Sequence, residues 1–279
     1  MAEWAGAVVA LRGASEDAIA SRLPTYLHPL AGRSLAWHVL TAVVALEPAP
    51  RQLRLVTGTP VDPAVFGGPP VEPIAVKRKE AWWSELSQSL GDGIDRVLVV
   101  DAAAPMLSRS LTALTAGPLD RVLRGQDGEL LAIWASRELL DRIARDQRME
   151  DAAREIATAS PADPAEAFLV RDRAALARAS VMIRDRIVRR HMAAGVSFLL
   201  PDTVYVDVEV VIGRDTVIYP GVVLEGETQI GAETVVGPGC RVIDSRVGNG
   251  VELKGWNYLV GTTIRNRAVL EPYVRRGFD

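Results

Sequence analysis

The sequence predicts an α/β domain followed by a short parallel β-helix. The first part of the chain alternates short apolar runs with stretches of helical spacing, a pattern typical of a parallel sheet covered by helices. The last part instead repeats an aliphatic residue at every sixth position. A chain of 279 residues is long enough for two such domains.

Apolar runs and helical spacing place the elements of the α/β domain. The clearest strands are predicted at 8–11, 53–57 and 97–100. Helices are predicted at 35–46, 82–90 and 173–194, with one or two more in the charged stretch from Ser136 to about Ala159. The helix at 173–194 ends at Gly195, which suits a helix C-terminus because glycine tolerates a positive φ.

The β-helix is predicted from an unbroken aliphatic series of hexads, namely Leu200, Val206, Ile212, Ile218, Leu224, Ile230, Val236 and Val242. The residues four places after each, ending with Cys240 and Arg246, are mostly small or β-branched and suit tight corners. The series then slips by one and continues with spacings of five or six at Val247, Leu253, Leu259, Ile264 and Leu270. A six-residue repeat indicates coils whose aliphatic residues stack; a flat array of short strands is the alternative.

The composition of the chain indicates which classes of partner and which cellular compartment to expect. Hydrophobic residues make up 48% of the chain and charged residues 24%, which is typical of a globular protein. The 32 Lys and Arg against 35 Asp and Glu give a net charge of −3, so neither nucleic acid nor an anionic membrane is favoured as a partner. No apolar run reaches the roughly 20 residues of a membrane helix. The single cysteine, Cys240, excludes an intramolecular disulfide, and we expect a cytoplasmic protein.

Three segments carry a resemblance to a known family. Residues 190–196, followed by Pro201, Asp202 and Thr203, resemble the linker helix and first coil of the bifunctional N-acetylglucosamine-1-phosphate uridyltransferases. Residues 22–33, with Arg-Leu-Pro and His-Pro-Leu-Ala-Gly-Arg, resemble a second stretch of that family. Residues 96–100 resemble the strand that leads to its metal-binding aspartate. The resemblance spans almost the whole chain and is weak from about 129 to 167.

The resemblance implies a Rossmann-like nucleotidyltransferase domain and a left-handed β-helix that assembles trimers. It also implies UTP and a sugar 1-phosphate as substrates, UDP-N-acetylglucosamine as product and Mg²⁺ as cofactor. The domains are expected at 1–180, with a linker helix at 181–198 and the β-helix at 199–279.

The phosphate-binding loop of the family does not match this chain. Transfer to a nucleotide α-phosphate depends on backbone N–H groups and cations that stabilise the added negative charge. In place of the family's signature glycines and arginine this chain has residues 12–19, where Ala14 and Glu16 carry side chains beside the expected phosphate. The lysine that contacts phosphate in the family is Thr25 here, which lacks the charge.

The metal-binding positions do not match either. The family's aspartate aligns with Ala103 and its asparagine with Arg171. Alanine cannot ligate Mg²⁺, and an arginine places a cation where a cation should bind. We therefore expect that the pyrophosphorylase reaction has been lost and that no cofactor is needed.

Two features are compatible with a rebuilt binding site. Asp101 precedes Ala103 by two residues on the same predicted strand, so its carboxylate is expected on the same side and is a weak candidate for a displaced Mg²⁺. A strand-end Asp bonded to nearby backbone N–H groups is the favoured interpretation. Arg12, Gly13, Arg171 and Arg173 are candidates for binding a small anionic ligand, against the simpler interpretation as scattered surface residues.

Several other residues are expected to have structural roles. No histidine follows His191, so the β-helix lacks an imidazole general base, and acetyl transfer, the family's second activity, is not expected. His28 and His38 are interpreted as structural. Trp82 and Trp83 lie near the family's uracil-reading region, yet packing is favoured over ligand stacking. Trp256 is expected to point outward, towards a partner subunit.

Two functions remain in competition. The first is a catalytically degenerate paralogue, acting as a trimeric scaffold, a regulatory subunit or a ligand-binding protein. The alternative is an active transferase with a changed substrate and a rebuilt site. The expected partner is another copy of the chain in a homotrimer, with a mixed oligomer containing an active homologue as a weaker hypothesis.

Overall fold

The computed structural model describes residues 3–10, 19–78, 82–125, 128–143, 153–154, 156, 159–160 and 163–277. The chain divides into two compact units. The first consists of Met1–Pro29 and Ser34–Ala179, and the second of Leu30–Arg33 and Ser180–Asp279. The fold class predicted from the sequence is confirmed in both units.

The first unit is built on a seven-stranded sheet. The strands of this part of the chain are β1 (Trp4–Ala10), β2 (Pro29–Leu30), β3 (Arg33–Ser34), β4 (Gln52–Thr57), β5 (Glu72–Ala75), β6 (Arg96–Asp101), β7 (Arg121–Arg124), β8 (Leu130–Ser136) and β9 (Ala159–Ser160). The sheet has the order β5-β4-β1-β6-β8-β7-β9, while β2 and β3 form a separate pair. All neighbours in the large sheet run parallel except β8, which is antiparallel to β6 and β7.

Helices cover both faces of this sheet. They are α1 (Leu35–Val44), α2 (Trp82–Ser89), α3 (Arg109–Thr115) and α4 (Arg137–Ile143). Side chains alternate across the central strands, so that Val8 and Leu98 belong to one buried cluster and Ala7 and Val97 to the other. This burial on both faces explains why the central strands are continuously apolar.

Most predicted elements of this unit agree with the structure. Strands and helices lie where the apolar runs and helical spacing placed them, with ends shifted by a few residues, and Leu11 lies outside the described residues. One or two helices were expected between Ser136 and about Ala159. Helix α4 confirms one of them, whereas Ser136 itself ends β8 and Ala159 begins β9, and residues 144–152 lie outside the described residues.

The second unit is a three-sided β-helix preceded by helix α5 (Arg173–Ala193), which begins in the first unit. The coil strands are β10 (Ser197–Phe198), β11 (Tyr205–Val206), β12 (Val211–Ile212), β13 (Val217–Ile218), β14 (Val223–Glu225), β15 (Gln229–Ile230), β16 (Val235–Val236), β17 (Arg241–Ile243), β18 (Arg246–Val247), β19 (Glu252–Leu253), β20 (Tyr258–Val260), β21 (Thr263–Ile264), β22 (Val269–Leu270) and β23 (Arg275–Arg276). Every third strand belongs to the same parallel sheet. We name these sheets the first, second and third faces, starting from β10, β11 and β12.

The aliphatic series stacks inside the coils as predicted from Val206 onward. The shortened spacings, Val242 to Val247 and Leu259 to Ile264, both fall at the corner between the second and third faces. Because the missing residues fall at one corner, the strands of each face remain in register. The buried hydroxyls of the corner series are satisfied; Thr216, for example, donates to the Gly231 carbonyl at 2.8 Å.

One position of the aliphatic hexad series and one of the corner series were assigned wrongly. Leu200 is exposed, and Phe198 takes the inward position by pairing with Ile218. A 3-10 helix at Pro201–Thr203 lengthens this first coil, so counting back in sixes from Val206 reaches the wrong residue. At the other end, the slip after Val242 places Ser245 rather than Arg246 in the buried corner series.

Candidate functional site

The candidate site lies at the carboxyl ends of the central strands of the first unit. Strand β1 has β4 on one side and β6 on the other, and such reversals of strand order are where open α/β sheets bind ligands. The segment after β1 contains Arg12, Gly13, Ala14 and Glu16, which all lie outside the described residues. The described part of the site is therefore built from the segments that follow β6 and precede α5.

Asp101 is the last residue of β6, and it accepts hydrogen bonds within the turn that follows. Its Oδ1 accepts a hydrogen bond from the Ala103 N–H at 2.8 Å, and its carbonyl accepts from the Ala104 N–H at 3.1 Å. The chain turns directly after Asp101, so the two-residue strand period does not carry to Ala103, and the expectation that both face one side as strand neighbours was wrong. The bond to a nearby backbone N–H agrees with the favoured interpretation of Asp101.

The structure brings the two predicted metal positions together. The Val170 N–H donates to the Ala103 carbonyl at 2.8 Å, which places Arg171 directly after the residue that contacts the β6 turn. Ala103 is buried and Arg171 is exposed. Positions 103 and 171 are thus neighbours in space although they lie 68 positions apart in the sequence.

The residues at these positions do not fit a magnesium ion. Mg²⁺ requires oxygen ligands, usually carboxylates, and the pair offers a methyl group and a guanidinium. Asp101 and Asp172 supply the carboxylates nearest in sequence, and each already accepts a hydrogen bond from a backbone N–H. Among the described residues no group of three or more His, Cys, Asp or Glu side chains is arranged to hold a metal.

Arg171 and Arg173 flank the N-terminus of α5, and both are exposed. Between them Asp172 caps the helix, since its Oδ1 accepts from the Ala175 N–H at 2.6 Å. An anion approaching this helix end would therefore meet a carboxylate beside the two guanidinium groups. The proposed grouping with Arg12 stays a prediction, because Arg12 is not among the described residues.

Glu166 holds the two segments of the site together, and sequence reasoning missed it. Its buried carboxylate accepts from the N–H groups of Ser108, Arg109 and Ser110 and from the Ser108 hydroxyl, at 2.7 to 3.1 Å. Burial alone would raise the pKa of this carboxyl, but these hydrogen bonds outweigh it and lower the pKa to about 2. Glu166 therefore remains ionised at the start of α3.

No local signal in the sequence points to this role. Glu166 and its donors are more than 50 residues apart, and the donors are mostly backbone groups that any residue type provides. The one available hint is a glutamate at the start of the apolar run 167–170. A buried carboxylate of this kind needs partners, but a single sequence does not name them.

The remaining candidates have structural environments. Thr25 is buried at the start of a 3-10 helix, Thr25–Leu27. His28 and His38 are also buried in the first unit, in keeping with structural roles. Trp82 and Trp83 are both buried, with ring centroids 3.9 Å apart, so packing is confirmed over an exposed stacking surface.

His191 near the end of α5 is buried and carries no charge at neutral pH. Burial lowers its pKa to about 4, with a further contribution from the neighbouring Arg190 guanidinium. Its Nε2 has no hydrogen-bond partner among the described residues. The group is a packed neutral imidazole rather than an exposed acid or base.

Comparison with known proteins confirms the resemblance and the fold. Residues 209–244 match the family described as bacterial transferase hexapeptide (six repeats). The chain is 29% identical over 88% of its length to the "Bifunctional protein GlmU" of Streptomyces avermitilis, and 39% identical over 104 residues to that of Caldanaerobacter subterraneus. The matches span 64% and 22% of those two relatives, less than two thirds of either.

A solved structure supports the fold of the first unit. A nucleotidyl transferase from Methanothermobacter thermautotroptrophicus superposes with a TM-score of 0.51 and 15% identity, covering 67% of this chain and 99% of that one. At this identity the likeness shows the nucleotidyltransferase fold alone. Within the described residues, no helix is long and apolar enough to cross a membrane.

Proposed function

We propose that this chain is a nucleotidyltransferase-fold protein that has lost uridylyl transfer and serves as a homo-oligomeric scaffold, regulatory subunit or binder of a small anionic ligand. The observation that carries the proposal is the pairing of Ala103 with Arg171 at the site. If only one position had changed, the other could still offer a ligand to a metal. With a methyl group at one position and a guanidinium at the other, neither side chain offers one.

The neighbouring residues support the same conclusion. Thr25 brings no positive charge, and Ala14 and Glu16 replace the small, uncharged positions on which a phosphate loop depends. Phosphoryl-type transfer relies almost entirely on positioning and on such charge stabilisation. Losing the phosphate loop, the lysine and both metal positions therefore removes most of what lowers the barrier.

The β-helix supplies the assembly part of the proposal. Hexapeptide coils form a long, rigid three-sided surface, which suits association with other copies of the chain. A homotrimer in the cytoplasm is the proposed form, and a mixed trimer with an active homologue is the weaker variant. Purification of an endogenous complex that contains this chain alone would remove the mixed form.

A pyrophosphate-release assay tests the proposal. Full-length protein is incubated with UTP, Mg²⁺ and N-acetylglucosamine 1-phosphate, with an active bifunctional relative as the positive control. We expect no pyrophosphate above the protein-free background. Turnover comparable with the relative would overturn the proposal.

The second candidate is a transferase with a changed substrate, favoured by the position of Asp101 beside the site. It predicts that one nucleotide or sugar phosphate in a panel raises the Tm, because a ligand that binds only the folded state stabilises it. Asp101→Asn should then abolish that shift, while Asp92→Asn, at an exposed aspartate elsewhere in the unit, should not. If no compound in the panel changes the Tm, this candidate fails.

A further inference from the structure

The chain has one asparagine–glycine pair, and it lies at a corner of the β-helix. The sequence contains three asparagines, Asn249, Asn257 and Asn266, and of these Asn249 alone precedes a glycine, Gly250. The pair follows β18 on the third face and leads into β19 on the first face. Asn249 and Gly250 are both exposed, so water reaches them.

An asparagine followed by glycine is chemically labile. The backbone nitrogen of the second residue can attack the side-chain Cγ of the first, and a glycine has no side chain to obstruct the approach. Here the Gly250 nitrogen would lose its proton to solvent and form a bond to the Asn249 Cγ. The bond from Cγ to Nδ2 then breaks, and Nδ2 takes up a proton and leaves as ammonia. Water opens the resulting cyclic imide at either carbonyl, which gives aspartate or isoaspartate, and no other reactant is required.

The closed corner engages both groups that must react. The Gly250 N–H donates to the Ala232 carbonyl at 2.8 Å, and the Asn249 Oδ1 accepts from the Ala232 N–H at 2.9 Å. One residue of the preceding coil therefore holds the attacking nitrogen and the attacked carboxamide. Because the two groups react only when these bonds open, the rate depends on how often this corner opens locally.

The following coil secures the corner from the other side. The Asn249 N–H donates to the Asn266 Oδ1 at 2.9 Å, and the Asn249 carbonyl accepts from the Arg267 N–H at 2.8 Å. Asn249 is thus bonded to the coils on both sides. Asn266 precedes an arginine, whose side chain obstructs attack, so it supports the corner without the same lability.

We propose that Asn249–Gly250 is a site of spontaneous covalent modification, at a rate controlled by opening of this corner of the β-helix. The isoaspartate product would keep the corner open. It places the side-chain methylene in the main chain, which lengthens the backbone by one bond of about 1.5 Å. The lengthened segment no longer matches the hydrogen bonds of the two neighbouring coils.

The aspartate product has a different consequence. An aspartate at position 249 still offers an oxygen to the Ala232 N–H. The β-helix already uses a carboxylate in this way at another corner, where the Asp244 Oδ1 accepts from the Glu227 N–H of the preceding coil at 2.9 Å. We therefore expect the aspartate form to keep the coil and the isoaspartate form to disrupt it.

Mass spectrometry of the full-length chain tests the proposal. Trypsin cleaves after Arg246 and Lys254, so peptide 247–254 carries Asn249 as its one asparagine, and peptide 255–265 carries Asn257 as an internal control. The chain is incubated at mildly alkaline pH, either folded or unfolded in guanidinium chloride, and then digested. We expect measurable conversion at Asn249 in the folded chain, at least about tenfold slower than in the unfolded chain because the open corner is a minor state. Asn257, which precedes a tyrosine, should convert far less in both samples.

Asn266→Ala tests the role of the corner itself. Losing the acceptor for the Asn249 N–H should speed conversion in the folded chain by about threefold or more. Thr263→Ala, at an exposed strand position in the same coil as Asn266, is the matched control and should leave the rate unchanged.

The proposal is overturned if the folded chain converts as fast as the unfolded one, or if Asn249 never converts in the folded chain. An unchanged rate in a folded Asn266→Ala would also overturn it, because the corner would then not control the reaction. If circular dichroism shows that Asn266→Ala is unfolded, the comparison of the folded and unfolded unaltered chain still decides.

Discussion

Replacing Glu166 with glutamine should remove a large, pH-dependent part of the stability of the first unit. The carboxylate accepts four hydrogen bonds at the start of α3, and its pKa is about 2 instead of the ordinary 4.5. Each pKa unit corresponds to about 1.4 kcal/mol, so the ionised group contributes about 3 kcal/mol at neutral pH. Glu166→Gln keeps the shape, but it loses the charge and turns an NH₂ group towards N–H donors.

The sign of the pH dependence follows from the lowered pKa. A group that ionises more easily in the folded state stabilises the protein above its unfolded pKa of about 4.5, and that contribution is lost as the pH falls towards 2. The stability of the unaltered chain should therefore decline across this window by about 3 kcal/mol more than that of Glu166→Gln. At neutral pH the variant should be less stable by a similar amount.

Urea unfolding followed by tryptophan fluorescence measures this difference. Five of the six tryptophans lie in the first unit, so the signal reports mainly on it. Glu138→Gln, at an exposed glutamate in α4, is the control and should change stability by less than about 0.5 kcal/mol. Equal pH dependence in the unaltered chain and Glu166→Gln between pH 5 and pH 2 would refute the reasoning.

Three further predictions concern the start of α5, its buried histidine and the segment 30–33. Asp172→Ala should lower the free energy of unfolding by about 1 kcal/mol through loss of the cap on Ala175, as measured by urea denaturation. The pKa of His191 is about 4, below its ordinary 6.5. Because the unfolded chain then binds a proton more readily than the folded one, the free energy of unfolding should decrease as the pH falls from 6.5 to 4. His191→Phe should abolish that loss in thermal melts, and an unchanged pH profile would contradict it. Gly32→Ala should destabilise by about 1–3 kcal/mol in thermal unfolding, because φ is +80° and the new methyl would lie 2.6 Å from the Asp207 carboxyl carbon; a Tm equal to that of the unaltered chain would contradict this.

The repetitive half of the fold was predictable because its signal is periodic. Every coil repeats the same inward position, so a local irregularity leaves the assignment of the other coils intact. The error at Leu200 arose where the coil is longer: the 3-10 helix at Pro201–Thr203 breaks the count, and Phe198 becomes the inward residue. Periodicity predicts the regular coils and says nothing about an insertion.

The site residues were predictable only through the resemblance to a family, because the sequence pattern alone does not indicate them. The resemblance named Ala103 and Arg171 as partners, and the contact between Val170 and Ala103 is consistent with that pairing. The turn after Asp101 is closed by local bonds from Ala103 and Ala104, which the apolar strand pattern does not indicate. The four donors to Glu166 instead come from a segment more than 50 residues away in sequence. A sequence read along one dimension does not contain those contacts.

The most direct test of the central claim is a calorimetric titration of UTP into the full-length chain with and without Mg²⁺. With Ala103 and Arg171 at the metal positions, the cation gains no protein ligand. We therefore predict that Mg²⁺ does not tighten nucleotide binding. Saturable binding of one UTP per chain that strengthens when Mg²⁺ is added would contradict the account.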